Sequence, residues 1–141
     1  MECLNIGYQG KSLQQFCDSL VAKGVQTLVD VRANAWSQRP EFRKRALQTA
    51  LAERGIEYVH CKIAGNPHRP SKGETIEPDL CFALYAAHLE SNPEILEALE
   101  RIISERVSAL LCYEARRDDC HRGILLTRLL GRCRSMRIVD L

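Results

Sequence analysis

The sequence predicts an α/β fold, a single-domain three-layer α/β/α sandwich around a mainly parallel five-stranded sheet. Three observations predict it. Short apolar runs alternate with stretches of helical periodicity along the chain, the pattern of strands joined by crossover helices. The runs at residues 25–32 and 107–113 are almost continuously apolar, as in strands covered on both faces. With 141 residues, 45% hydrophobic and 27% charged, the chain can build one packed core and fits neither a disordered nor a membrane-spanning class.

Each element has its own signal. Leu4-Asn5-Ile6-Gly7-Tyr8, stopped by Gly10, reads as the first strand. Ser12 and Gln15 have the spacing of a capping box, in which hydroxyl and amide each satisfy a backbone donor at a helix start. Leu13, Phe16, Cys17, Leu20 and Val21 follow at helical spacing, and Gly24 ends the first helix. Val25 to Arg32 is the second strand, and Ala33 to Arg39 a loop. Pro40 opens the second helix where its missing N–H costs nothing; Phe42, Ala46, Leu47, Ala50 and Leu51 form the buried stripe, and Gly55 ends it. Ile56 to Cys61 alternates and is the third strand. Ala64 to Glu74, rich in Gly and Pro, has no periodicity, and loops this long in compact domains are usually functional or mobile. The third helix starts near Pro78-Asp79 and runs through Leu84, Tyr85 and His88. Asn92-Pro93 restarts a helix as N-cap and first-turn proline, with Ile95, Leu96, Leu99, Ile102 and Ile103 inside. Val107 to Tyr113 is the fourth strand. Asp118 or Asp119 caps the last helix, which buries Ile124, Leu125, Leu129 and Leu130, and Met136 to Leu141 is the fifth strand.

Bulk properties exclude several functions. No apolar run approaches bilayer length, and the start Met1-Glu2-Cys3-Leu4-Asn5 lacks the basic and apolar regions of a signal peptide, so a cytoplasmic protein without membrane contact is expected. Seven scattered cysteines, an odd number, do not suit a disulfide framework, and no Cys-x-x-Cys marks a zinc knuckle. A net charge of +2 makes no general case for nucleic acid. Arg39, Arg43, Lys44 and Arg45, with Arg69 and Lys72, could contact a nucleic-acid backbone or form a solvated face. No Gly-x-Gly-x-x-Gly follows the first strand, and the sequence names no cofactor and no oligomeric state.

In a parallel sheet the strand-to-helix loops share the carboxyl edge, where ligands sit. That edge gathers Tyr8, Asp30 to Ser37, the loop after the third strand, and Cys112 to Arg122. Arg32 and Arg122 are expected to hold an anion, each with an internal salt bridge to Asp30 or Glu114 as the alternative. Cys120, near a helix N-terminus, is either a reactive thiol or a small buried one. Cys112 ends a core strand and points to the same face as Glu114, whose charge would raise the thiol's pKa. Glu114, His121 and Asp30 are candidates for proton transfer, and Tyr8 and Ser37 for ligand contact. Cys61, Cys112, Cys120 and His121, with His60, could converge on a metal, but their spacing carries no knuckle and no metal ligand is assigned.

Asn5-Ile6-Gly7-Tyr8, Asp30-Val31-Arg32 with Ser37 and Phe42, Ile56-x-Tyr58, Leu111-Cys112-x-Glu114 and Cys120-His121-Arg122 occur in this order along almost the whole chain. In this the sequence resembles the bacterial and archaeal proteins grouped as domain of unknown function, family 488. The family usually has Leu-Gly-Gly after the third strand, where this chain has Ile63-Ala64-Gly65. The resemblance implies the fold and the choice of residues, and implies no reaction. At fold level the chain is also similar to rhodanese-like domains, which pair an Asp-x-Arg strand end with a later strand ending in Cys. The position of a Cys-x5-Arg phosphatase arginine is Asp118 here.

The expectation is an enzyme, a hydrolase or group transferase binding an anionic, phosphate-bearing or nucleotide-like ligand. The alternatives are a nucleic-acid-associated module without catalysis and a metal- or redox-sensing domain.

Overall fold

The computed structural model describes residues 1–70 and 73–141; Lys72 of the basic loop lies outside them. The order is β1 (Glu2–Gly7), α1 (Leu13–Ala22), β2 (Thr27–Asp30), α2 (Lys44–Ala52), β3 (Glu57–His60), α3 (Pro78–Ser91), α4 (Glu94–Glu105), β4 (Ser108–Cys112), α5 (His121–Arg132) and β5 (Arg137–Asp140). The strands form one sheet in the order β3-β2-β4-β1-β5, and every pairing is parallel rather than mainly so. Among the described residues no helix is long and apolar enough to cross a membrane.

Strand alternation divides the core in two. Leu4, Ile6, Leu28, Ala109 and Leu111 face α1 and α2 through Phe16, Leu20, Leu47 and Leu51. Cys3, Val29, Val31, Leu110 and Cys112 face α3, α4 and α5 through Tyr85, Leu99, Leu125 and Leu129. Each fully buried leucine contributes about 1.5–3 kcal/mol by leaving water, so the two layers carry most of the stability. β4 lies between β2 and β1, but its following helix packs on the opposite face from theirs. Loops therefore part at the carboxyl end of β4, opening a crevice beside it.

Local signals are met at both ends of α1 and at the end of α2. Ser12 Oγ accepts from Gln15 N at 3.1 Å and Gln15 Oε1 accepts from Ser12 N at 2.9 Å, completing the capping box. Gly24 and Gly55 take φ of +67° and +72°, the left-handed conformation that ends a helix.

Four local expectations are corrected. The Pro40 helix is broken at Arg43, whose backbone is extended; Pro40–Phe42 is a separate 3₁₀ turn and α2 starts at Lys44. Asn92 caps the end of α3, Nδ2 donating to His88 O at 2.8 Å, and α4 starts from Pro93 without a side-chain cap. Asp118 and Asp119 form the 3₁₀ turn Arg117–Asp119, and Cys120 is the cap of α5, its Sγ accepting from Arg122 N at 3.3 Å. Leu130 is exposed, and Leu126 takes the inward position.

Candidate functional site

A cleft of about 810 Å³ opens at the carboxyl edge of the sheet. Tyr8 from the end of β1, the segment from Arg32 to Arg39, Asn66 to Pro70 after β3, Tyr113 after β4 and His121 of α5 line it. These are the loops that the parallel sheet was expected to gather.

Backbone approaches fix the floor. A Cβ on Gly7 would lie 1.7 Å from the carbonyl oxygen of Glu114, so the loop after β4 presses on β1 where only glycine fits. Arg122, 1% exposed, locks that approach. Its Nε donates to Asn5 Oδ1 at 3.0 Å, Nη1 to Ile6 O at 3.2 Å, and Nη2 to Glu114 O at 3.0 Å and Ala115 O at 3.5 Å. Gly65 similarly meets Ala33, where a Cβ would stand 2.3 Å from the Ala33 Cα. The Ile63-Ala64-Gly65 variation thus keeps the glycine that contact needs, while Ile63 is exposed and the Ala64 carbonyl accepts from Tyr85 Oη at 2.6 Å.

Arg32 and Arg122 are not brought together, which corrects the expectation of an anion held between them. Arg32 is in phase with Leu28 and Asp30, on the α1/α2 face, whereas Arg122 rises from α5 on the other. Asp30 is fully buried and does not line the cleft. Its carboxylate accepts from Arg32 Nε at 2.9 Å, Arg32 Nη2 at 2.7 Å and Tyr58 Oη at 2.5 Å. Burial works against the Arg32 charge, but the Asp30 bonds and charge, with a smaller contribution from Tyr8, together outweigh it and the pKa is raised. Asp30 therefore orients Arg32, whose Nη1 lies 3.4 Å from Tyr8 Oη at the cleft wall. Of the salt bridges weighed from sequence, the Asp30–Arg32 one forms; Arg122 takes the Glu114 backbone instead of its carboxylate.

Behind His121 stands a buried cluster. Cys112 Sγ lies 3.9 Å and Cys120 Sγ 3.6 Å from His121 Nδ1, and the three candidate ligand atoms lie within 4.8 Å of one another. His121 Nε2 meets the Val31 carbonyl oxygen at 2.9 Å. A carbonyl only accepts, so Nε2 carries the hydrogen and Nδ1 turns to the sulfurs. The hydrogen bond from Cys120, and against burial that from His121, hold the Cys112 thiol below its ordinary range, while the same Cys112–Cys120 bond and burial push Cys120 up. The Glu114 charge raises Cys112 as expected, but less than its two partners lower it. Burial lowers the His121 pKa, but the bond and charge of Cys112, the bond to the Val31 carbonyl and the Glu114 charge together raise it. His60 stays outside this cluster, donating through Nε2 to the Arg32 carbonyl at 2.8 Å. Cys61 is likewise not among the three converging ligands.

A second cavity, about 190 Å³, adjoins the cluster and is lined by Glu114, Asp119, Cys120 and His121. Glu114 Oε2 is buried there without a hydrogen-bond partner among the described residues, and Oε1 is 3.7 Å from Arg69 Nη2. Ser37 lines the large cleft and shapes its loop, Oγ accepting from Arg39 N at 3.1 Å.

Sequence reasoning missed Trp36 and undervalued Arg39 and Arg69. Trp36 is half exposed with the Arg43 guanidinium 4.9 Å from its ring centroid. A lone tryptophan in a loop following Asp-Val-Arg was the available signal. Arg39 donates from Nε to Glu41 at 3.0 Å and from Nη1 to Tyr8 O at 3.2 Å, and stands over the Phe42 ring.

No curated protein and no solved structure matches the chain at a significant level. The profile of the family described as "Domain of unknown function DUF488" matches residues 12–129, a span holding the whole cluster and every cleft segment after Tyr8. With that span covered, the chain belongs to the DUF488 family.

Proposed function

We propose that the cleft takes an anionic, phosphate-bearing, nucleotide-like ligand, and that the protein is an enzyme of the hydrolase or group-transfer class. One observation carries this reading. The cleft of about 810 Å³ is lined by Arg32, Arg39 and Arg69 and by Tyr8, Trp36 and Tyr113, and among the described residues no carboxylate lines it. Guanidinium forks suit phosphate, flat rings suit a base, and the volume suits a mononucleotide-sized molecule. Arg69, half exposed and only loosely paired with Glu114, and the Arg39 Nη2, outside that side chain's bonds to Glu41 and Tyr8 O, carry the phosphate, because Arg32 is buried and held by Asp30. His121 presents its ring to the same cleft, with Cys112 and Cys120 behind it and Glu114 beside them, so groups able to act on the bound ligand stand at its wall.

The test is calorimetric titration with nucleoside mono-, di- and triphosphates and with inorganic phosphate. The expected result is binding of at least one nucleotide, weakened about 5- to 150-fold by Trp36→Ala, the loss of 1–3 kcal/mol of ring stacking. Arg39→Ala should weaken nucleotide and inorganic phosphate alike. Binding of none of these probes by the folded wild-type protein defeats the reading.

A further inference from the structure

The fold brings two sulfurs and one ring nitrogen to a point from opposite sides of a loop. Cys112 closes the central strand β4, and Cys120 and His121 open α5. The sulfur-to-nitrogen separations are 3.9 and 3.6 Å. Around a tetrahedral zinc ion, bonds of about 2.3 Å to sulfur and 2.0–2.1 Å to nitrogen place those atoms about 3.6 Å apart. Both sulfur-to-nitrogen separations are therefore within about 0.3 Å of one coordination sphere, and all three ligand atoms lie within 4.8 Å of one another.

The surroundings fit the same purpose. A histidine that binds metal through one nitrogen donates its other N–H to a carbonyl or carboxylate, which fixes ring and tautomer. His121 does this through Val31 O at 2.9 Å, leaving Nδ1 for the ion. Arg122 N donates to Cys120 Sγ at 3.3 Å, and the Tyr85 ring packs edge-on against His121 at 5.0 Å, so sulfur and imidazole are both held in place. The second, independent observation is on the open side. Glu114 lines the 190 Å³ cavity with Arg69, Cys120 and His121; its Oε1 is 3.7 Å from the half-exposed Arg69 guanidinium, while its buried Oε2 has no hydrogen-bond partner among the described residues. A buried carboxylate oxygen without a donor is costly unless something positive meets it.

We propose that Cys112, Cys120 and His121 bind one zinc ion, whose fourth position faces the Glu114 cavity and takes the Glu114 carboxylate or a water held by it. Two thiolates and an imidazole select zinc over the hard cations. With a water in the fourth position, three protein ligands and one position open to a cavity make the layout of catalytic zinc; with the Glu114 carboxylate there, the site is closed in the manner of structural zinc. The inference rests on the reading of this edge as the ligand site, because His121 is shared by the cavity and the cleft.

The experiment uses the full chain, reduced, freed of metal with a chelator and titrated with Co²⁺ as a spectroscopic probe and with Zn²⁺. The expected result is one ion per chain, intense tetrahedral d–d bands, and a sulfur-to-cobalt charge-transfer band whose intensity corresponds to two thiolates. Zn²⁺ should then displace Co²⁺. Cys112→Ser and Cys120→Ser should each halve the charge-transfer band and weaken binding more than about 100-fold, beyond what loss of an outer partner costs. Cys17→Ser, on the other face of the sheet, should change nothing. A folded, reduced wild-type protein that leaves Co²⁺ with its octahedral water spectrum overturns the inference, whether or not the serine variants fold. Metal is titrated without nucleotide, and the nucleotide titrations are repeated in chelator, so either proposal can fail alone.

Discussion

Replacing Asp30 by Asn keeps the shape and removes the charge. In the native protein Asp30 is 0% and Arg32 3% exposed, and the carboxylate accepts from Arg32 N, Nε and Nη2 and from Tyr58 Oη. Asparagine offers one oxygen to these donors and points an amide at the rest. The Arg32 guanidinium is then a buried charge without a counter-ion, a defect worth about 3–5 kcal/mol. That is a large part of the 5–15 kcal/mol typical of a folded domain. At this chain length each kcal/mol moves the melting temperature about 3 °C, so the variant should melt roughly 9–15 °C lower. Urea unfolding followed by circular dichroism measures the free-energy loss, and a thermal melt the temperature shift. Asp30→Leu combined with Arg32→Met should recover most of the loss, because the cost lies in the stranded charge and not in the missing pair. Tyr58→Phe, which deletes a single bond to the carboxylate, should cost about 1.5–2 kcal/mol, less than Asp30→Asn. A loss below about 1 kcal/mol for Asp30→Asn, or equal losses for Asp30→Asn and Tyr58→Phe, would refute the account of Asp30 as the counter-charge of Arg32.

Three further outcomes are expected. Arg122→Lys should cost more than about 3 kcal/mol in the same urea assay, since one ammonium cannot reach four acceptors spread over β1 and the loop after β4. Ser12→Ala should lower stability by about 1 kcal/mol through loss of the capping box, leaving nucleotide titration unchanged. Cys3 should resist alkylation in the folded protein up to strongly alkaline pH: burial first, and Cys133 second, push its thiol up to about 12, so it stays protonated below that value. Mass-spectrometric mapping of labelled cysteines against pH reads this directly.

Element order was legible because each strand and helix carries its own period and punctuation. Ser12 with Gln15, Gly24 and Gly55 marked helix ends through backbone needs that are local in sequence. Asp118 and Asp119 misled because a second turn intervenes, and the cap fell to a cysteine, whose sulfur is a weak acceptor seldom used there. The gathering of Tyr8, Arg32, Ser37 and His121 on one edge followed from the parallel topology. The separation of Arg32 from Arg122 did not, because it depends on the face by which each crossover helix leaves, and strand order β3-β2-β4-β1-β5 is set by long-range packing. The cysteine–histidine cluster was visible only as residue types; its spacing comes from the loop between β4 and α5, which no periodicity describes.

The chain leaving β2 is gripped at two successive carbonyls, Val31 by His121 and Arg32 by His60, from α5 on one side and from β3 on the other. Its point of departure is thus set by neighbours and not by the residues that follow. The segment from Ala33 to Arg39 can be exchanged for another sequence of equal length without re-aiming the strand, provided the residue facing Gly65 stays small. A library built between those two anchors would diversify one wall of the cleft on a scaffold whose geometry is held from outside the library.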